Sequence, residues 1–363
     1  VVGVAGALPA SLAGAVSDKG SGTDKPPPPP VTLPPPVTQP PQRPQALALW
    51  AVLSPDGGRA FIAENLVGPN LVDVTVLNST SNEVLHTLTG HSDALNSIAC
   101  SPDGNLALTT FNKRDFGHAR LWNLTTGQLV RTLPDGMHGP MPGNDANHAD
   151  FSPDGRFALV AQNTGIARVW RLETGEHVRS LTGHNASVTS AVISPNGELA
   201  LTASKDTTAK LWNFTTGEEL STLRGHNEPV MRAAFSPDAR FALTASRDGT
   251  AKVWNFETGE VVHNLQIFDS SEAFRADVVR QAAFSPDGKL ALTAWGSGPT
   301  RVWNLTTGQI VHTLGNGGYD GIPNGVFFPD GRQVLTVSFY HAHVWDLKTG
   351  EVARTIDLMN GGM

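Results

Sequence analysis

The sequence predicts an all-β chain of repeated four-stranded antiparallel modules, and three observations predict it. A Pro-centred turn recurs seven times. A second turn, ending in Gly or Asn, follows each copy at a regular distance. Between the turns lie segments rich in Ala, Leu, Val and Thr that are too short for helices. Composition agrees: 363 residues include 37 Gly and 26 Pro and only 16% charged residues, which disfavours helix bundles and coiled coils. Ordinary cores stop growing near about 250 to 300 residues, so a single domain of this size must be a large β or α/β fold.

The first turn reads Ser-Pro-Asp-Gly at 54–57, 101–104, 152–155 and 285–288, with variants starting at Ser194, Ser236 and Phe328. Pro presets φ for the first corner, Asp hydrogen-bonds its own backbone, and Gly accepts the positive φ that closes the hairpin. Ala239 stands at that Gly position in one copy and is expected to be strained or differently turned. The second turn ends in Gly127, Gly175, Gly217, Gly259, Gly308 and Gly350, and in Asn82 in the first copy. The unit is therefore four strands, a to d, repeating every 42 to 51 residues.

Leu181-Thr182-Gly183-His184 followed by Asp206 and Trp212, and Leu223-Arg224-Gly225-His226 followed by Asp248 and Trp254, resemble the WD-repeat β-propeller family. The resemblance covers residues 46–358 and implies a seven-bladed propeller of four-stranded antiparallel blades. Trp-Asn replaces the family's Trp-Asp at Trp122, Trp212, Trp254 and Trp303, and Trp345-Asp346 keeps it. That swap changes a turn acceptor and not the fold. The family pattern further implies a structural relay of His184, Thr202, Asp206 and Trp212 in blade 4, and of His226, Thr244, Asp248 and Trp254 in blade 5. Each charge-assisted bond of such a relay contributes roughly 1 to 3 kcal/mol. Blade 2 keeps His91, Thr109 and Trp122. Blades 1, 3, 6 and 7 lack the full set and are expected to lean on apolar packing. Because the sets recur, they are structural rather than catalytic.

Propellers of this family usually close by lending an amino-terminal strand to the last blade, but here residues 351–358 already supply that strand. The seam between blades 7 and 1 is thus expected to be held mainly by side-chain packing.

Spacing also separates the two ends of the ring. The Trp-to-turn distance is constant, and all length variation falls in the b–c and d–a connections. In antiparallel blades these connections share one end. Variable loops on a rigid scaffold are where recognition sits. The expected binding residues are Lys113, Arg114, Phe116, His138, Met141, His148, Phe268, Arg275, Trp295, Tyr340 and His341, among which aromatics, Met and Arg are enriched at interfaces. His138, His148 and Asp145, or His341 with His343, do not match an established zinc spacing, so no metal or other cofactor is expected.

Residues 1–25 are an apolar, low-complexity segment. Ala13-Gly14-Ala15 fits the small-residue pattern of a signal-peptidase site, without a basic region before it, which marks a candidate remnant of a signal or membrane segment. The stretch is shorter than the about 20 apolar residues of a membrane helix. Residues 26–45 form a disordered Pro-rich linker with 11 prolines between Pro26 and Pro44, an extended spacer of roughly 60 Å at about 3.1 Å per residue. Residues 359–363 are a tail.

With 26 Lys plus Arg against 33 Asp plus Glu, the net charge of −7 offers no global attraction to nucleic acid. Walker, GxGxxG, HExxH and GxSxG motifs are missing, and Cys100 is the single cysteine. The expectation is a non-enzymatic, monomeric scaffold for a protein or peptide partner, carried on a tether, with export or membrane attachment favoured over the cytoplasm. The alternatives are a propeller hydrolase with a site at the channel mouth, and a sensor module of a larger membrane-tethered protein.

Overall fold

The computed structural model describes residues 47–65, 72–81, 83–91, 95–111, 119–133, 146–267, 279–295, 298–315, 324–337 and 341–357. These residues form seven four-stranded antiparallel sheets, blades 1 to 7, whose a strands begin at Leu47, Leu95, Ala146, Val188, Val230, Val279 and Asn324. Strand a of each blade lies beside strand a of both neighbouring blades, including that of blade 1 beside that of blade 7, so the seven a strands surround one axis. The fold is a seven-bladed β-propeller, and every element among the described residues is a strand.

The first turn shows why Ser, Pro, Asp and Gly recur. In blade 3 the Ser152 hydroxyl donates to Asp154 Oδ1 at 2.5 Å and accepts the Phe157 N–H at 2.9 Å, while the Gly155 N–H donates to the Ser152 carbonyl at 2.8 Å. One hydroxyl thus ties both strands of the hairpin. Ala239 makes the same turn bond at 2.9 Å and is forced to φ +57°. Thr207 is a second residue in this region, at φ +72°, in the b–c turn where blade 5 has Gly249 and blade 3 has Gly165.

At the second turn, Asn123 Oδ1 accepts the N–H groups of Thr125 and Thr126 at 2.8 and 3.0 Å. Asn213 and Asn304 do the same, and Asp346 accepts from Lys348 and Thr349. Asn and Asp are interchangeable here because one side-chain oxygen is all the turn requires.

The core lies between blades rather than within them. Leu159, Ala161, Val169 and Leu181 of blade 3 pack on Val188, Ala191, Ala200 and Trp212 of blade 4. Complete burial of a Leu or Val stabilises by about 1.5 to 3 kcal/mol. At the seam, Leu53, Ile62 and Leu77 of blade 1 pack on Leu335, Val344 and Ile356 of blade 7. Blade 7 takes its outer strand from Glu351–Asp357 and blade 1 starts at Leu47–Leu53, so neither borrows a strand across the seam among the described residues. Residues 30–45 lie outside them.

Candidate functional site

The loop-bearing end rests on a hydrogen-bond relay in blades 4 and 5. In blade 4 the Trp212 indole Nε1–H donates to Thr202 Oγ1 at 2.8 Å, Thr202 Oγ1 lies 2.8 Å from His184 Nε2, and His184 Nδ1 lies 2.8 Å from Asp206 Oδ2. Thr202 accepts from the indole and keeps its own proton to give. Nε2 is then the acceptor, and the Nδ1 proton goes to Asp206, which satisfies every group with a neutral imidazole. Asp206 also accepts the Asn185 N–H at 3.0 Å and the Thr208 hydroxyl at 2.6 Å.

Blade 5 repeats the arrangement. Trp254 donates to Thr244 at 2.7 Å, His226 Nε2 lies 2.9 Å from Thr244 Oγ1, and His226 Nδ1 lies 2.8 Å from Asp248. The Gly before each His is explained by proximity. A methyl group at Gly183 would press on the Trp212 ring at 3.2 Å, and Gly225 holds φ +141°.

Burial alone raises the Asp206 carboxyl, but donation from Thr208, His184 and Asn185 outweighs it and holds the group below the usual carboxylate range. For Asp248 burial is likewise outweighed, by His226, Thr250 and Asn227. Burial pushes the His184 imidazole down, and the Asp206 bond offsets only part of that.

The other blades keep parts of the relay. Trp122 donates to Thr109 at 2.9 Å, while the His91 side chain lies outside the described residues. Trp303 donates to Thr293 and Trp345 to Thr336, at 2.9 and 2.7 Å. In blade 3, Val160 replaces the Thr, and Trp170 meets His177 edge-on with ring centroids 5.2 Å apart.

Around the axis, a strands reach into the next blade. Asn96 donates to the Ala146 carbonyl at 2.8 Å, Asn147 to Val188 at 2.6 Å, and Thr189 to Val230 at 2.6 Å. Asp150 accepts the Ile193 N–H at 2.9 Å. These bonds pair part of the edge that the a strands of blades 3, 4 and 5 leave open toward the axis. Burial pushes the Asp150 carboxyl up to about 6.

The predicted binding residues are placed as follows. Lys113, Arg114, Phe116, His138, Met141, Phe268, Arg275 and Tyr340 lie outside the described residues. Trp295 ends strand b of blade 6, paired with Val279. His341 is exposed at the start of strand 7c (His341–Asp346), its ring centroid 5.9 Å from that of His343. His148 needs correction. It belongs to strand 3a (Ala146–Phe151), not to a loop, and its Nδ1–H donates to the Ala191 carbonyl of blade 4 at 2.9 Å. Burial and the nearby Arg232 charge push its pKa down to about 4, so it stays neutral as an inter-blade strut. Among the described residues no three His, Cys, Asp or Glu side chains group as a metal site.

One set of residues was not anticipated. Four positions after the Gly or Asn of the second turn, the outer strands carry His86, Arg131, Arg179, Ser221, His263, His312 and Arg354. Arg131 donates to the Glu173 and Thr174 carbonyls of the next blade, Arg179 to Phe214, His263 to Leu305, and His312 to Leu347. Aligning the repeats on the turn would have exposed this column.

Three stretches of the chain, 82–116, 175–213 and 217–255, match the family model described as WD domain, G-beta repeat. Each runs from strand d of one blade into the next. The first holds His91 and Thr109, the second the full relay of blade 4, and the third that of blade 5. No curated protein matches the chain. The chain is thus a seven-bladed β-propeller, three of whose blades are entered by a WD repeat.

Proposed function

We propose that this propeller is a non-catalytic scaffold that binds a peptide or protein segment on its loop-bearing end. WD-repeat propellers generally mediate protein–protein interactions and are typically non-catalytic. The observation that carries the reading is where variation is allowed. Every a–b connection is the same length, as at 54–58 and 328–332, while d–a connections run from 92–94 to 134–145 and 267–278. A ring that conserves one end and varies the other is built to present the varied end.

The contact residues proposed are Lys113, Arg114, Phe116, His138, Met141, Phe268, Arg275, Trp295, Tyr340 and His341. Aromatic, Met and Arg side chains of this kind supply interface anchors. The Pro-rich segment serves as a tether to an upstream domain or membrane, and the propeller acts as a monomer.

The test is selection of displayed random peptides on the intact chain. Peptides should lose binding when Lys113, Arg114, Trp295 and Tyr340 are changed together to Ala. They should keep it when Glu173 and Thr174, at the opposite end, are changed to Ala. Equal retention by both variants overturns the assignment.

A further inference from the structure

Six seams of the ring are clasped at the uniform end by a side chain of one outer strand set against the second turn of the next blade. The seventh is not. Between blades 4 and 5 the clasp position is Ser221, which is exposed, whereas His86, Arg131, Arg179, His263, His312 and Arg354 are all half-buried. The backbone places them identically: Ser221 stands opposite Leu211 as Arg179 stands opposite Val169 and His263 opposite Val253.

The space left by the short side chain is visible at the facing turn. A methyl group added at Gly175 would lie 2.7 Å from Arg131, at Gly308 3.0 Å from His263, and at Gly350 2.6 Å from His312. At Gly259, which faces Ser221, it would meet nothing within 4 Å. The corresponding acceptor in blade 5 is the Phe256 carbonyl, and no described group donates to it, although Phe214, Leu305 and Leu347 each receive a clasp.

The surroundings match a cation flanked by aliphatic groups. Glu257 and Glu260 stand on either side of Gly259, both exposed. Glu257 is only loosely paired with Arg240 at 3.6 Å, with both side chains largely in solvent. Leu220, Val261 and Val262 are 48%, 41% and 48% exposed next to the notch.

We propose that the notch between blades 4 and 5 is a second docking site, independent of the loop-bearing end, for a partner segment that inserts an arginine between aliphatic residues. The inserted guanidinium donates to the Phe256 carbonyl as Arg179 does to Phe214, and it lies against Glu257 and Glu260. Its aliphatic neighbours cover Leu220, Val261 and Val262.

Displayed random dodecapeptides would be selected on the full chain carrying the Lys113, Arg114, Trp295 and Tyr340 to Ala changes, so that the loop-bearing end does not contribute. Arginine flanked by aliphatic residues should be enriched. The recovered peptides should bind Ser221→Ala as well as the parent and Ser221→Arg about tenfold or more weakly, as expected for loss of one charged hydrogen bond. Replacing the peptide arginine by glutamine should weaken binding similarly. Ser221→Arg should unfold at a temperature no lower than the parent, because it fills the place from within. Absence of arginine enrichment, equal binding to Ser221→Arg, or a lowered unfolding temperature of that variant would each overturn the proposal. So would self-association of the parent chain abolished by Ser221→Arg, which assigns the notch to a second copy.

Discussion

Arg354, on the last strand of the ring, donates from Nη1 to the Thr80 carbonyl at 2.9 Å and from Nη2 to the Ser79 carbonyl, joining the seventh blade to the first. Beneath this fork, Ile356 packs with Ile62 and Leu77 at 4% exposure. Arg354→Ala should lower the unfolding free energy by about 1 to 2 kcal/mol, because its bonds are partly solvated. Ile356→Ala should cost about 2 to 4 kcal/mol. Urea titrations of both variants decide whether packing dominates the seam. A larger loss from Arg354→Ala would reverse that ranking.

Thr202 bonds both the indole of Trp212 and the imidazole of His184. Thr202→Val keeps the volume but leaves two buried ring nitrogens without partners, and should cost about 3 kcal/mol. Val160 already occupies the equivalent place in blade 3, where among the described residues no histidine stands as His184 does in blade 4. Val160→Thr should therefore recover less than Thr202→Val loses. Comparing the two unfolding midpoints checks this.

The relay and Asp150 titrate in opposite senses. His184 is held neutral in the fold, so the unfolded chain takes up the proton first and stability declines as pH falls below about 6.5. The stabilisation from Asp206 and Asp248 is present above about pH 4 and is lost as pH falls through their lowered folded values. Asp150, raised to about 6, is the reverse: its contribution is present below the ordinary Asp value and lost as pH rises through about 6. The urea midpoint of Asp150→Asn, relative to the parent, should therefore improve between about pH 5 and pH 8. A difference independent of pH would count against a raised Asp150.

Thr207 and Ala239 hold φ values of +72° and +57°. Left-handed backbone costs a side-chain-bearing residue roughly 1 to 2 kcal/mol, part of which glycine returns as extra freedom in the unfolded chain. Thr207→Gly and Ala239→Gly should each stabilise by about 0.5 to 1 kcal/mol. Thr207→Gly should gain more, because a β-branched side chain suffers most there. Thermal midpoints of the two variants provide the measurement.

The turns and ring order were legible because Pro, Asp and Gly each meet a local backbone demand that the sequence displays directly. The strain at Ala239 was readable for the same reason. Thr207 would have been, had Asp206-Thr207-Thr208 been set against Asp248-Gly249-Thr250. His148 was misplaced because the distance from Trp170's counterpart to the next turn includes strand as well as loop. Counted back from Ser152, it occupies the same strand position as Ser190 and Arg232. The struts made by Asn96, Asn147 and Thr189 were not legible, since their partners are carbonyls brought close only by ring closure. The clasp column was obscured by its mixture of His, Arg and one Ser, which reads as a solvated face.

Each sheet is drawn from one uninterrupted run of chain, with no described strand lent to a neighbour. Among the described residues such a ring carries no latch. Cutting the chain within a d–a connection and rejoining its ends elsewhere leaves every sheet whole, and copying or deleting one module orphans no strand. Its circumference answers to the wedge angle that adjoining modules tolerate, so growth by duplication is a change of number rather than of plan.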